Sequence, residues 1–246
     1  MTEIRFDARI ARTYDADSAE RFAPEVLGPT VDLLVDLAGD RSALELAVGT
    51  GRVALPLSQR GVEVHGIEIS PAMVEQLRAK PGGDAIDVTI GDMSATRLDR
   101  RFGLVYLVFN TINNLTTQEE QVACFRLAAE HLKPGGRFVV EVVVPDLRRL
   151  PPGDTARCFA LAPGYVAVEE FTDFTEAQIA WSHHFRVVDG EGHVFSAPYR
   201  HVWPSELDLM VQLAGLTRQD RWGDWDRSPF TTESRSHVSV WAKPRG

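Results

Sequence analysis

Glu45, Ala47, Gly49, Gly51 and Glu68 carry the clearest chemistry in this 246-residue chain. In SALELAVGTGRVALPL (42–57) a short apolar run ends on Glu45, passes through a loop holding Ala47, Gly49 and Gly51, and enters a helix start. Glycines in such a loop let the backbone turn sharply and let a ligand approach the main chain. Strand, glycine loop and helix together place a nucleotide at the carboxyl ends of an α/β sheet. Two classes of nucleotide compete for it. Gly49, Gly51 and Ala54 satisfy the G-x-G-x-x-A dinucleotide fingerprint, and Glu68 follows at a second strand end, so an NAD-dependent oxidoreductase fits. Against it, the charge of Glu45 would stand near a pyrophosphate, whereas a ligand with a positive centre tolerates it. One common dehydrogenase arrangement is also missing, because no tyrosine has a lysine four positions on.

A second set of reactive side chains lies further along. Trp181, His183 and Phe185 alternate, as do Tyr199, His201 and Trp203, so each set shares one face of a strand. Such a face is either a half-buried sheet or the roof of a substrate pocket with a histidine near the reacting atom.

The elements that must hold these residues alternate between strand and helix. LELAV, VEVHGIEI, DVTIGD, LVYLVFN and RFVVEVVV read as short, apolar, β-branched strands. Helices are predicted over 20–38, through Leu57 and Gln59, from Ser70-Pro71 onward, and from about Gln118 to Leu132, where Lys133-Pro134-Gly135-Gly136 is a strong stop. This alternation implies a doubly wound α/β fold with a mostly parallel sheet and helices on both faces, which the family resemblance given below makes Rossmann-like and seven-stranded. After Pro145 the pattern changes to three strand-like pieces, YVAVEEFTDF, IAWSHHFRVVD and HVFSAPYRHVW, with a turn at Asp189 to Gly192. Strand following strand predicts a small antiparallel β insert. A helix over SELDLMVQLAGL and a last strand, SHVSVWAKP, close the chain.

Lys and Arg number 26 against 35 Asp and Glu, a formal charge of -9, which disfavours a nucleic-acid backbone as partner. With 44% hydrophobic residues the chain can bury a full core. Cys124 and Cys158 have no histidine at metal-site spacing and are expected to be reduced and structural; no metal is expected. Neither a signal peptide nor an apolar run near the ~18 residues of a membrane span is evident, which predicts a cytoplasmic protein.

ELAVGTG (45–51), GIEISPAM (66–73), GDM (91–93), LVFNTINNL (107–115) and LKPGGRF (132–138) together resemble the class I S-adenosylmethionine-dependent methyltransferases of small molecules. The match runs from about Arg41 to Val144 and departs from the family pattern at Ala47, usually glycine, and at Gly103, usually aspartate. The resemblance implies that S-adenosylmethionine is the cofactor and S-adenosylhomocysteine the product. Glu45 would face the methionine ammonium, Gly49 and Gly51 would make room for methionine and ribose, and Glu68 would accept from the ribose hydroxyls. Ala47 should leave binding intact. Ile69 and Met73 would pack on adenine, with Asp92 and the Met93 amide bonding its edge. Phe109 and Asn110 would lie beside the methionine and sulfonium, with Tyr14 as a lid residue over it.

FNTINNL is also similar in layout to the amino-sugar N-methyltransferases of macrolide pathways, which carry a histidine near the place of Asn114. Asn110 and Asn114 are therefore expected to orient the acceptor. His183, His201 and Tyr199 are the candidate bases if the acceptor needs one. The reaction implied is in-line displacement of a methyl group onto an N or O atom of a small molecule such as a natural-product intermediate. A non-catalytic binding protein of the same fold is the remaining alternative. The division implied is a helical lid (1–40), a cofactor-binding half (41–150), an antiparallel acceptor-pocket roof (151–203) and a closing helix with C-terminal strands (204–246), in one domain. Exposed strand edges in the insert are compatible with a monomer or a homodimer.

Overall fold

A computed structural model describes residues 6–145, 153–188 and 190–245. Asp189, and the boundary between residues 150 and 151 expected to separate cofactor half from roof, lie outside the described residues.

The chain opens with helix α1 (Ala8–Asp17), started by Asp7, whose carboxylate accepts from the Arg9 and Ile10 amides at 2.9 and 3.0 Å. A 3-10 turn (Ala19–Phe22) leads into α2 (Pro24–Leu37), with proline in its first turn and Val31, Leu34 and Leu37 on its buried side. The helix predicted from residue 20 thus begins at the proline. Strands and helices then alternate, save that no helix separates β3 from β4: β1 (Ser42–Leu46), α3 (Ala54–Gln59), β2 (Glu63–Glu68), α4 (Pro71–Arg78), β3 (Asp87–Ile90), β4 (Phe102–Leu107), α5 (Gln118–His131) and β5 (Leu132–Val143). Ser70 caps α4 by accepting from the Met73 amide, and Thr117 with Glu120 forms a reciprocal capping box on α5.

After β5 come β6 (Ala156–Ala162), β7 (Tyr165–Asp173), β8 (Ile179–Val188) and β9 (Glu191–Arg200), then α6 (Pro204–Leu213), β10 (Thr217–Trp222) and β11 (Ser236–Ala242). The main sheet runs β10-β11-β5-β4-β1-β2-β3, with β11 antiparallel to both neighbours and the others parallel. Its order reverses at β1, which pairs β2 on one side and β4 on the other, so a crevice opens beyond the carboxyl ends of those strands. Every residue of β1 is buried, because both faces of the sheet are covered. On one face Leu44, Leu46 and Val105 pack with Phe125 of α5 and Met210 of α6. On the other, Ala43, Leu104 and Tyr106 pack with Leu34 of α2, Leu57 of α3 and Leu77 of α4.

The insert is a separate antiparallel meander of four strands, β6-β7-β8-β9, where three were expected. β6 was hidden because most of its residues are exposed and a bulge between Cys158 and Ala160 breaks its alternation. β10 was hidden for a related reason: TRQDRW is a polar edge strand, the form in which sheets protect their edges. Gly103 also finds its explanation here. A Cβ at that position would sit 2.2 Å from Asp40 Oδ1 and 2.8 Å from the Ala38 carbonyl, so the side chain usual in the family has no room.

No helix among the described residues is long and apolar enough to cross a membrane. Cys124 is buried in the core, and burial pushes its thiol up to about 12. Cys158 is exposed on β6, which corrects its expected structural role.

Candidate functional site

A cavity of about 950 Å³ occupies the crevice, floored by the loops after β1, β2, β3 and β4 and enclosed by α1 and the inner face of the four-stranded sheet. Tyr14, Ala47, Gly49, Glu68, Ile69, Met73, Asp92, Met93, Phe109, Asn110, Asn114, Tyr199 and His201 all line it. Glu45, Gly51 and His183 do not.

Glu68 ends β2 with 5% of its surface exposed, and two loop amides hold its carboxylate: Gly49 N–H donates to Oε2 at 2.8 Å and Ser70 N–H to Oε1 at 2.9 Å. Burial raises its pKa, while these amides pull it down. Each oxygen keeps a further lone pair for a ligand. Asp92 Oδ1 accepts from both the amide and the hydroxyl of Ser94 at 2.7 Å, which fixes the turn after β3. Ile69, Met73 and Met93 supply the apolar wall beside it.

Ala47 lies in the left-handed region, φ +56°, where glycine is usual, and still lines the cavity. Phe109 and Asn110 are left-handed as well, with φ of 62° and 58°. Glu141 Oε2 accepts from the Phe109 amide at 2.8 Å, and Asn110 Oδ1 accepts from the Val143 amide at 2.6 Å. Asn110 thus spends its acceptor oxygen on the end of β5, leaving its amide nitrogen as the group a ligand can use.

Three expectations are corrected. Glu45, 3% exposed, lies under the loop, where it accepts from Tyr106 Oη at 2.8 Å. Burial raises its pKa to about 8, so it is mostly protonated near neutrality. It therefore neither faces the cavity nor supplies the negative charge that argued against a pyrophosphate. Gly51 faces away from the cavity: a Cβ there would lie 3.0 Å from Leu77 Cδ1 and 3.1 Å from Leu55 Cγ, and its φ of +80° demands glycine. His183 points to the outer face of the insert, bonding Ser196 at 2.8 Å and Glu170 at 3.1 Å. The strand register explains this, because Tyr199 opposes Ala180, so Tyr199 shares its face with Ser182 and His184 and not with His183.

Several ties fix α1 over the opening. Ser70 Oγ donates to the Phe6 carbonyl at 2.5 Å and Thr50 Oγ1 to Asp15 Oδ1 at 2.6 Å. Lys80 pairs with Asp15, and Arg186 of β8 pairs with Asp17. Burial raises the Tyr14 hydroxyl's pKa, keeping it protonated.

A family profile described as "Methyltransferase domain" matches residues 43–136. The solved structure of the CcbJ methyltransferase from Streptomyces caelestis superposes with a TM-score of 0.80 at 38% identity, covering 88% of each chain. The chain belongs to the class I S-adenosylmethionine-dependent methyltransferases. This methyltransferase is also 28% identical over 205 residues to the cypemycin N-terminal methyltransferase of a Streptomyces species, covering 81% of this chain and 82% of the relative. It is 33% identical over 141 residues to a dTDP-3-amino-3,4,6-trideoxy-alpha-D-glucopyranose N,N-dimethyltransferase of Streptomyces venezuelae, covering 52% and 58%. S-adenosylmethionine is thereby its cofactor, and the enzyme class is settled against the oxidoreductase.

Sequence reasoning missed other groups lining this methyltransferase's cavity. Arg21, in the 3-10 turn after α1, holds its guanidinium 4.0 Å above the Phe109 ring. On the insert, Arg157 pairs with Glu169 at 2.6 Å, and His184 links Tyr165 Oη at 2.7 Å to Ser182 Oγ at 2.9 Å. Asn113 lines the cavity beside Asn114 and is 4% exposed. Only the exchange of His183 for its neighbour could have been suspected earlier, since adjacent histidines on a strand must face opposite sides.

Proposed function

We propose that this methyltransferase transfers a methyl group to a nitrogen atom of a small molecule. Two features support nitrogen as the acceptor. Two of the three relatives named above, the cypemycin and amino-sugar enzymes, are N-methyltransferases by name, and the cavity offers positioning in place of a strong base. His184 and His201 both have lowered pKa values because they are buried, His201 to about 4, so their imidazoles are neutral and weakly basic. A neutral amine needs orientation and little else, and an apolar cavity favours the neutral form of an amine over its ammonium.

The observation that carries this reading is the single continuous cavity, lined on one side by the glycine-loop half and on the other by the inner face of the insert. The residues present fit the cofactor. Glu68 retains acceptor capacity for two ribose hydroxyls, and Ile69, Met73, Asp92 and Met93 suit an adenine ring and its edge. Ala47 and Gly49 would border the methionyl chain, Arg21 would meet its carboxylate, and Phe109, Asn110 and Tyr14 would enclose its end. Bound there, S-adenosylmethionine supplies a methyl group already activated by its sulfonium. What remains for the protein is to hold an acceptor lone pair in line with the breaking S–C bond and to exclude water. The N-terminal 40 residues would serve as lid, 41–150 as cofactor half, 151–203 as acceptor roof and 204–246 as closing layer of one domain.

The test has two parts. Calorimetry should show S-adenosylhomocysteine binding at micromolar concentrations and no binding of NAD; failure to bind the former overturns the site assignment. Labelled S-adenosylmethionine with a panel of amines and matched alcohols should mark amines alone. Label on the alcohols alone would overturn nitrogen as the acceptor.

A further inference from the structure

Glu169 of β7 is a buried carboxylate on the side of the cavity away from the glycine loop. It is 8% exposed and lines the cavity. The strand register fixes its direction: it opposes Ser182 of β8, which lines the cavity, whereas its neighbour Glu170 bonds His183 on the outer face. Its Oε2 accepts from Arg157 Nε at 2.6 Å, and Arg157 lines the cavity too. Its Oε1 has no hydrogen-bond partner among the described residues. The fully enclosed side-chain atoms that lack one are Asn113 Oδ1, both ring nitrogens of His201, and one nitrogen each of His131 and His237. Those atoms are sealed from the cavity. Glu169 Oε1 is not among them, so a molecule in the cavity can reach it.

The surroundings leave this oxygen as a held, poorly solvated acceptor. Arg157, opposite on β6, is the charged group that faces Glu169. Ser182 on β8, and Ala167 and Phe171 on the same face of β7, bring no charge. His184, beyond Ser182 on that face, is kept neutral by burial. Burial raises the pKa of Glu169 and Arg157 opposes the rise. A buried carboxylate that one arginine satisfies on one oxygen only is costly for a wall that merely packs.

A carboxylate oxygen accepts and never donates, and a cationic donor matches it best. An alkylamine reaches the cavity as an ammonium, which has no lone pair to attack with. Beside a sulfonium its second positive charge is also repelled. The proton must therefore leave before methyl transfer, and burial favours this by moving an amine's pKa down and a carboxyl's up. We propose that Glu169 captures the acceptor's ammonium through Oε1 and takes its proton. The N–H proton passes to Oε1 and its bonding pair stays on nitrogen. That pair forms the new N–C bond while the S–C pair goes to sulfur. The product leaves as a methylated ammonium, and Glu169 returns its proton to water. This rests on the proposed N-methylation but is tested apart from it.

Affinity is read by ligand-observed NMR on protein saturated with S-adenosylhomocysteine, with benzylamine and benzyl alcohol as probes, so that turnover is not needed. Benzylamine should bind about tenfold more tightly at pH 7, the gain of one charge-assisted hydrogen bond. Glu169→Gln should erase that preference while the affinity for S-adenosylhomocysteine holds. Since it leaves Arg157 unpaired, the double variant Glu169→Gln with Arg157→Gln, which carries neither charge, should show the same loss. No benzylamine binding, equal binding of the two probes by the parent protein, or an undiminished preference in the double variant overturns the assignment. The proton is located by infrared difference spectra on rapid mixing of benzylamine with protein loaded with S-adenosylmethionine. A protonated carboxyl band should appear in the parent protein and not in Glu169→Gln; its absence from the parent overturns the proton transfer. Methylation of a panel of amines is scored separately. Preference and carboxyl band without methylation leave Glu169 standing and sink the N-methyl reading, and methylation without them does the reverse.

Discussion

Truncating Glu68 is the sharpest perturbation of the cofactor half. Its carboxylate accepts from two amides, of Gly49 and Ser70, in the ligand-free protein. Glu68→Ala therefore has two separable effects. In the free protein two amides lose their partner, at about 1 kcal/mol each, so a loss of about 2 kcal/mol in unfolding free energy is expected. On binding, the ribose hydroxyls lose a charged acceptor, worth about 1.5–3 kcal/mol per bond before replacement by water. Water will fill the vacated space and recover part of this, so about 2–3 kcal/mol is expected, or roughly 30- to 150-fold in Kd. Calorimetric titration with S-adenosylhomocysteine measures the second effect, and chemical denaturation the first. A double cycle isolates the contact: the 2′-deoxyribose analogue should bind the parent protein more weakly, yet lose little further affinity in Glu68→Ala. If the variant binds S-adenosylhomocysteine within threefold of the parent, or if the two losses simply add, Glu68 does not bind the ribose and the reasoning fails.

The other expectations concern the glycine loop, two buried titratable groups and the thiols. Ala47→Gly removes the cost of a left-handed alanine, about 1–2 kcal/mol, less the extra chain entropy of glycine; a net gain of roughly 1 kcal/mol should be visible in urea denaturation, and a net loss would refute the strain. Glu45 is raised from an ordinary value of 4.5 to about 8, so the folded state holds its proton longer than the unfolded chain does. That contribution is fully present below about pH 4.5 and fades as pH rises through 8. Glu45→Gln should flatten the fall in unfolding free energy over that window, and an unchanged pH profile would contradict it. His201, lowered to about 4, acts in the opposite direction, its contribution fading as pH falls from about 6.5 through 4; His201→Phe should lessen the acid sensitivity seen by denaturation. Native protein should expose one titratable thiol, Cys158, and denatured protein two; two in the native state would show that the core around Cys124 opens.

The central sheet was legible because each of its signals has a local cause. β1, β2 and β4 are dense apolar runs since helices cover both faces, and α4 and α5 begin at side-chain caps visible as Ser70-Pro71 and Thr117 to Glu120. β6 and β10 were not legible because exposure, a bulge and edge position remove the alternation that marks a strand. Helix α1 is mostly exposed, with Ala11 its one buried residue, so it carries little apolar periodicity.

The candidate site divides along the same line. Glu68, Asp92 and Asn110 line the cavity because each sits at, or a few residues beyond, the carboxyl end of its strand. Errors arose where a second surface decides the outcome. Glu45 reads as a charge until Tyr106, from the neighbouring strand, is seen closing over it. His183 and His184 are equivalent in sequence, and only the pairing of β8 with β9 shows which of them meets the cavity. Asn113 gave no signal at all, since being unpaired is a property of a folded neighbourhood. The half proposed to bind the cofactor is thus written in local turns, while the half proposed to bind the acceptor emerges from contacts between distant segments: the turn at residues 111–114, the end of β9, and the Gln121–Arg200 bridge that joins them. It follows that cofactor use can be inherited with the loop motifs while the acceptor changes through residues on the insert and the bridged turn. Substitutions at Asn113, His201, Glu169 and His184 should therefore alter which acceptor binds far more than whether S-adenosylmethionine does.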